Sequence, residues 1–174
     1  MSYFVVDIEA DGPIPGDYSM VSFGVVKLTK ELDKTYYAEI KPISEKYNKN
    51  ALTSCNFSRE QTLSFSDPIS VMKEFYTWIK NNNTSYRPLF LSDNNGFDWQ
   101  FINWYFHHFL NENPFGYSSL NISCLFKGIK KNTHSNFKYL RNTKHTHNAL
   151  DDAKGNAEAV LKMISSFGLK IDLD

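Results

Sequence analysis

The chain has 174 residues, 41% hydrophobic and 16% aromatic, enough to bury most of its unfolded surface in one core, so a single domain over residues 1–174 is expected. Nineteen basic and nineteen acidic side chains cancel, which excludes a general polycation and leaves any attraction to nucleic acid to a local patch. Cys55 and Cys124 form neither a C-x-x-C motif nor a disulfide framework, and no signal peptide or run of ~18 apolar residues is visible, so a soluble, cytoplasmic protein is expected.

Residues 3–8 are rich in β-formers and predict a strand, closed by Asp11-Gly12-Pro13 and Pro15-Gly16. Val21 to Leu28 and Thr35 to Ile40 continue it as a three-stranded antiparallel meander. Ser44 to Ser58 has no clear period and reads as a long loop. Asp67 before Pro68 is an N-cap with proline at the first helical position. Ile69, Met72, Phe75, Tyr76 and Ile79 then recur at helical spacing, to an end near Lys80. Pro88 to Leu91 reads as a short strand, followed by a helix from about Phe97 to Leu110, one more helical region, and a final helix over about Asn148 to Phe167. This order describes an α/β layer structure, a mixed sheet with helices packed on it.

The period of two along the first strand puts Tyr3, Val5, Asp7 and Glu9 on one face. The two acids then stand ~6.6 Å apart at their α-carbons, repelling each other unless a cation lies between them; if the strand stops at Val6, both sit in solvent instead. Asp98 heads a helical stripe of Phe101, Ile102, Tyr105 and Phe109, with Asn94 or Asn95 available to cap it. In the final helix, capped by Asn148, Leu150, Ala153, Ala157, Val160, Leu161 and Ile164 form the core stripe. Asp151 lies opposite with Gly155, Glu158 and Lys162, and Asp152 lies on the flank with Ala149, Asn156, Ala159 and Met163. Carboxylates without a cysteine ligand suit Mg²⁺ or Mn²⁺, and His147, just before that helix, has an imidazole suited to taking a proton from water.

These residues resemble the DEDDh 3′→5′ exonuclease superfamily, which includes ribonuclease T, oligoribonuclease and the proofreading exonucleases. Asp7-Ile8-Glu9 matches its Asp-x-Glu motif, Phe97-Asp98 its second motif, and His147-Asn148-Ala149-Leu150-Asp151-Asp152 its His-x-Ala-x-x-Asp. The resemblance implies a ribonuclease H-like fold, with an antiparallel three-strand meander plus parallel strands flanked by helices. It also implies two Mg²⁺ or Mn²⁺ ions held by Asp7, Glu9, Asp98 and Asp152, His147 as general base, and release of nucleoside 5′-monophosphates from 3′ ends of DNA or RNA.

Between Asn113 and Leu150 there is no acidic residue, whereas Lys127, Lys130, Lys131, Lys138, Arg141 and Lys144 supply six positive charges, a candidate phosphate track or a solvated surface. Ala10 and Gly12 are candidates for close approach of a terminal nucleotide. Trp99, Trp104 and Phe106 read as core in preference to stacking surfaces. A homodimer is common among small relatives, but no residue marks an interface. Two other readings stay open: an endonuclease of the ribonuclease H fold, and a nucleic-acid-binding module without catalysis.

Overall fold

The computed structural model describes residues 1–173. Five strands form a mixed sheet in the order β3-β2-β1-β4-β5: β1 (Tyr3–Ala10), β2 (Met20–Lys27), β3 (Thr35–Glu39), β4 (Leu89–Ser92) and β5 (Ser119–Asn121). β1 pairs antiparallel with β2, and β2 with β3, as the meander requires, while β4 runs parallel to β1 and β5 parallel to β4. The helices are α1 (Lys49–Ser54), α2 (Arg59–Leu63), α3 (Pro68–Asn82), α4 (Asn95–Leu110), α5 (Ile122–Lys130) and α6 (Ala149–Phe167).

Alternation along β1 sends its side chains into two cores. Phe4, Val6 and Ile8 pack with Phe75 of α3 and Phe101, Ile102 and Phe106 of α4. Val5 packs on the other face with Phe126 of α5 and Ala153, Ala157 and Val160 of α6. Asp7 and Glu9 share that second face, so the acids project toward α6. β1 stays paired through Ala10, with a bulge between Glu9 and Ala10, so both acids lie on the strand rather than in solvent beyond it.

The predicted loop over Ser44 to Ser58 contains α1 and ends at the cap of α2. Asn48 caps α1, and Ser58 with Gln61 forms a capping box on α2; two short helices with few apolar residues leave caps as their main sequence signal. β5 was not anticipated because three half-buried residues carry no period. In α3 the buried face takes Val71 with Met72, Phe75 and Ile79, and Ile69 is exposed. In α6 the buried face is centred on Ala149, Asp152, Asn156, Ala159 and Met163, the set expected at its flank, and Leu150, Leu161 and Ile164 are partly covered.

Gly24 of β2 sets how close α6 comes. A β-carbon there would lie 2.3 Å from Leu150 Cα and N, inside the first turn of α6, so that turn crosses directly over the strand beside Asp7. The obstacle is backbone and cannot rotate away. Gly24→Ala is therefore expected to cost about 3 kcal/mol, the upper end for overpacking, and to weaken cation binding by shifting Asp152. Thermal melts with and without Mn²⁺ check both effects, and an alanine variant with unchanged melting in both would contradict the close crossing.

Candidate catalytic carboxylate site

Three elements supply acids at the C-terminal end of β1. Asp7 and Glu9 come from the strand and Asp152 from the first turns of α6, and ligand oxygens of these three lie within 4.8 Å of one another. Asp98, in the first turn of α4, is 3% exposed; its Oδ1 accepts the Ile8 N–H at 3.4 Å and its Oδ2 is buried with no hydrogen-bond partner. The structure thus brings together all four acids of the sequence reading, and it separates the adjacent pair: Asp152 is 1% exposed, whereas Asp151 faces solvent and accepts the Thr146 hydroxyl at 3.2 Å.

Burial first, then the charges of Asp98, Glu9 and Asp152, push the Asp7 carboxyl well above its ordinary range, with Arg141 pulling in the other direction. Burial raises Glu9 to about 7 against a hydrogen bond from Cys55, with Asp152 adding to the rise. Burial likewise raises Asp98 to about 7, against the lowering effect of the Ser92 hydroxyl nearby and of the Ile8 N–H. Such a cluster is under-compensated by the protein itself. The set of hard oxygen donors and the orphaned Asp98 oxygen fit divalent cations of the Mg²⁺ type.

His147 leads into α6 with φ of 57°, a left-handed conformation costing a non-glycine residue ~1–2 kcal/mol. The turn aims its N–H at Asp152 Oδ2, 3.1 Å away, while Thr146 N–H reaches Asp152 Oδ1 at 3.3 Å. The imidazole is exposed, 4.3 Å from the ring of His145 between centroids. Sequence reasoning passed over His145, whose Nδ1 lies 2.7 Å from Asp152 Oδ1 with the side chain 49% exposed. Two residues before His147, on the same segment, was the available signal.

That segment, residues 141–147, is a strap laid across α6. Glu158 accepts the N–H groups of Asn142 and Thr143, both at 2.7 Å, and the Thr143 hydroxyl at 2.9 Å, while Lys162 donates to Asn142 at 2.7 Å. Gly155 makes room for it, since a β-carbon there would lie 2.9 Å from Thr143 O. The polar face of α6 expected in open solvent is therefore a docking face for the strap.

Arg141 opens the strap with its side chain 7% exposed. It bonds Asn156 and stands 3.4 Å from Asp93 and 3.7 Å from Asp152. It sits among these partners inside the protein, whereas Lys138 and Lys144 are exposed. Ala10, the last residue of β1, is buried in the core, and Gly12 is covered by Tyr18, whose ring would lie 1.9 Å from an added β-carbon. Trp99 and Trp104 are partly buried against the core and Phe106 is fully buried, as the core reading required. Cys55, delivered by the unexpected α1, donates to Glu9 Oε2 at 3.0 Å; burial pushes its thiol pKa far up, so it acts here as a donor. Asp11 is fully buried and paired with Arg59 at 3.1 Å, which ties α2 to the end of β1.

Solved structures share this architecture. The nuclease domain of 3′hExo, a DEDDh family member bound to rAMP, matches with a TM-score of 0.76 at 19% identity, over 98% of this chain and 96% of that one. Cell-death related nuclease 4 matches at 0.74 and 16% identity, over 94% and 63%, and Escherichia coli exonuclease I in complex with a dT13 oligonucleotide at 0.71 and 12%, over 95% and 41%. The fold, with its four acids at the end of β1, is that of the ribonuclease H-like DEDDh exonucleases. The sequence narrows the class: residues 2–164 match the model of the Rv2179c-like 3′-5′ exoribonuclease domain, and the chain belongs to that family. A curated relative, the 3′-5′ DNA exonuclease Cap18 of Escherichia coli, is 35% identical over 97% of this chain and 94% of its own length. The protein is a 3′→5′ exonuclease, which sets aside the endonuclease and binding-module readings.

The burial contrast between Asp151 and Asp152 gives a direct test. Asp152→Asn is expected to lose nearly all hydrolysis and most cation-induced stabilisation. Asp151→Asn should keep turnover within a few-fold and lose ~0.3–1 kcal/mol of favourable charge at the helix N-terminus. Parallel assays at saturating Mn²⁺ decide it, and an inactive Asp151→Asn beside an active Asp152→Asn contradicts the placement.

Proposed function

We propose that the chain is one exonuclease domain that removes nucleoside 5′-monophosphates from 3′ ends of DNA, with Asp7, Glu9, Asp98 and Asp152 holding two Mg²⁺ or Mn²⁺ ions and His147 as general base. The observation that carries this reading is the convergence of Asp7, Glu9 and Asp152 oxygens within 4.8 Å beside the orphaned oxygen of Asp98. Two such ions, when bound, stabilise the attacking and leaving oxygens of a phosphodiester displacement.

The protein's own groups have separable tasks. Cys55 holds one oxygen of Glu9 by its S–H, and the N–H groups of Thr146 and His147 hold the Asp152 carboxylate. The exposed ring of His147, whose N–H binds Asp152, takes the proton from water in this reading, and His145 has a nitrogen on Asp152. DNA is favoured by the full-length relative, named a DNA exonuclease, over the family description, which names RNA.

Matched DNA and RNA strands with free and blocked 3′ ends, digested with Mn²⁺, test the reaction. Mononucleotides from free-ended DNA are expected, and internal fragments would contradict the reading. His147→Ala should lower kcat by ~10²–10⁴-fold and leave cation-induced stabilisation nearly intact. Near wild-type turnover in that variant would remove the base assignment.

Cation dependence carries a pH signature. A carboxyl whose folded pKa lies above its unfolded value of ~4 disfavours the ionised fold, so stability without metal falls as pH rises from about 4 through about 7. Chelator-treated protein should lose melting temperature from pH 5 to pH 8, and Mn²⁺ should raise it more at pH 8 than at pH 5.5. Calorimetric melts across that range check the sign, and equal Mn²⁺ effects at both ends would count against these carboxylates as the ligands.

A further inference from the structure

We propose that the polar cleft between the start of α4, α5 and residues 133–138 holds the phosphodiester backbone of the substrate strand on the 5′ side of the bond that is cut. This deepens the exonuclease reading above and rests on it. The cleft has a volume of about 590 Å³, and its walls include Asn94, Ser123, Thr133, Lys127 and Lys138.

Three observations point to a polyanion. The first is charge: Lys127 and Lys138 face the cleft, and its acidic wall residue, Asp93, lies 3.4 Å from the buried Arg141 guanidinium, which offsets it. The second is continuity, because the same guanidinium stands 3.7 Å from Asp152, so the cleft adjoins the carboxylate cluster through one side chain. The third is polar capacity: Asn94 occupies the cap position of α4 yet its side chain makes no capping bond, and it stands in the wall beside hydroxyls that suit phosphate and sugar oxygens.

The alternatives around the site fit less well. The cleft beside α1 and α2 includes Arg59, already bound to Asp11 and Ser44, and Glu60 opposes its Lys49. The cleft along β3 is walled by Glu39 and Glu74 and would repel a phosphate. The cleft on α4 near Trp104 has no lysine, arginine or carboxylate in its walls. Of the six cations in the acid-free stretch, the fold turns Lys127 and Lys138 into the cleft, sets Lys130 over the Phe167 ring and buries Arg141.

Cys124, exposed in the wall of this cleft, is a built-in reporter, and the buried Cys55 is its internal control. With metal removed by EDTA, a saturating ten-nucleotide dT strand is expected to slow iodoacetamide alkylation of Cys124 at least about 5-fold. In the same buffer, anisotropy of the labelled strand should show binding to the Lys127→Ala/Lys138→Ala variant weakened about 10-fold. Its salt dependence should be shallower by about 1.4 in log–log slope, ~0.7 for each lost phosphate contact. An unchanged alkylation rate at saturation, unchanged affinity in the variant, or no strand binding by the wild type would overturn the proposal. Hydrolysis of p-nitrophenyl thymidine 5′-monophosphate with Mn²⁺, too short to enter the cleft, is measured alongside. Equal kcat in variant and wild type supports the assignment, and loss in the variant alone overturns it by placing the lysines at the reacting bond. Loss in both enzymes counts against the catalytic reading and leaves the metal-free binding result to stand by itself.

Discussion

Like charges crowded into a half-buried place are the constraint around which this molecule is organised. Asp7, Glu9, Asp98 and Asp152 are held where water cannot fully solvate them, and the guanidinium beside them, Arg141, is shared with Asp93 and Asn156. Left alone, such a cluster keeps protons or pulls in cations, and the surroundings prevent a third outcome, in which the side chains swing apart into solvent. Asp98 is tied to Ile8, Glu9 to Cys55, and Asp152 to two backbone N–H groups. The packing described above holds these elements in register, so the electrostatic cost stays concentrated at one point.

Much of this was legible in the chain. Period two along residues 3–10 placed Asp7 and Glu9 on a common face, and the 100° step of a helix separated Asp152 from its neighbour Asp151, because both inferences depend only on local geometry. The meander and the long helices followed from runs of β-formers and from helical spacing, and the ribonuclease H-like fold class from the resemblance carried by the three motifs.

What escaped had physical reasons. α1 and α2 are five or six residues long and make their case through caps rather than a hydrophobic stripe, and Cys55 reached the site with them unnoticed. Amphipathic reasoning assigns polar helix faces to water, so Glu158, with no apolar signal to mark it, was left there while it actually receives three hydrogen bonds from the strap. Arg141 looked like its lysine neighbours by charge alone; burial, a property of the fold and not of the residue type, puts it among protein partners instead.

The distribution of the site along the chain has a consequence for biosynthesis. The strand bearing Asp7 and Glu9 is made well before the strap and α6, which bring His147 and Asp152. The meander can form from neighbouring segments, but the centre closes only when α6 settles over Gly24, a pairing between distant parts of the sequence that forms late and slowly. A chain broken off before the strap and α6 therefore has the strands of the sheet but lacks His147 and the Asp152 carboxylate. The carboxylate cluster is thus assembled by the docking of α6 rather than by any one stretch of the chain.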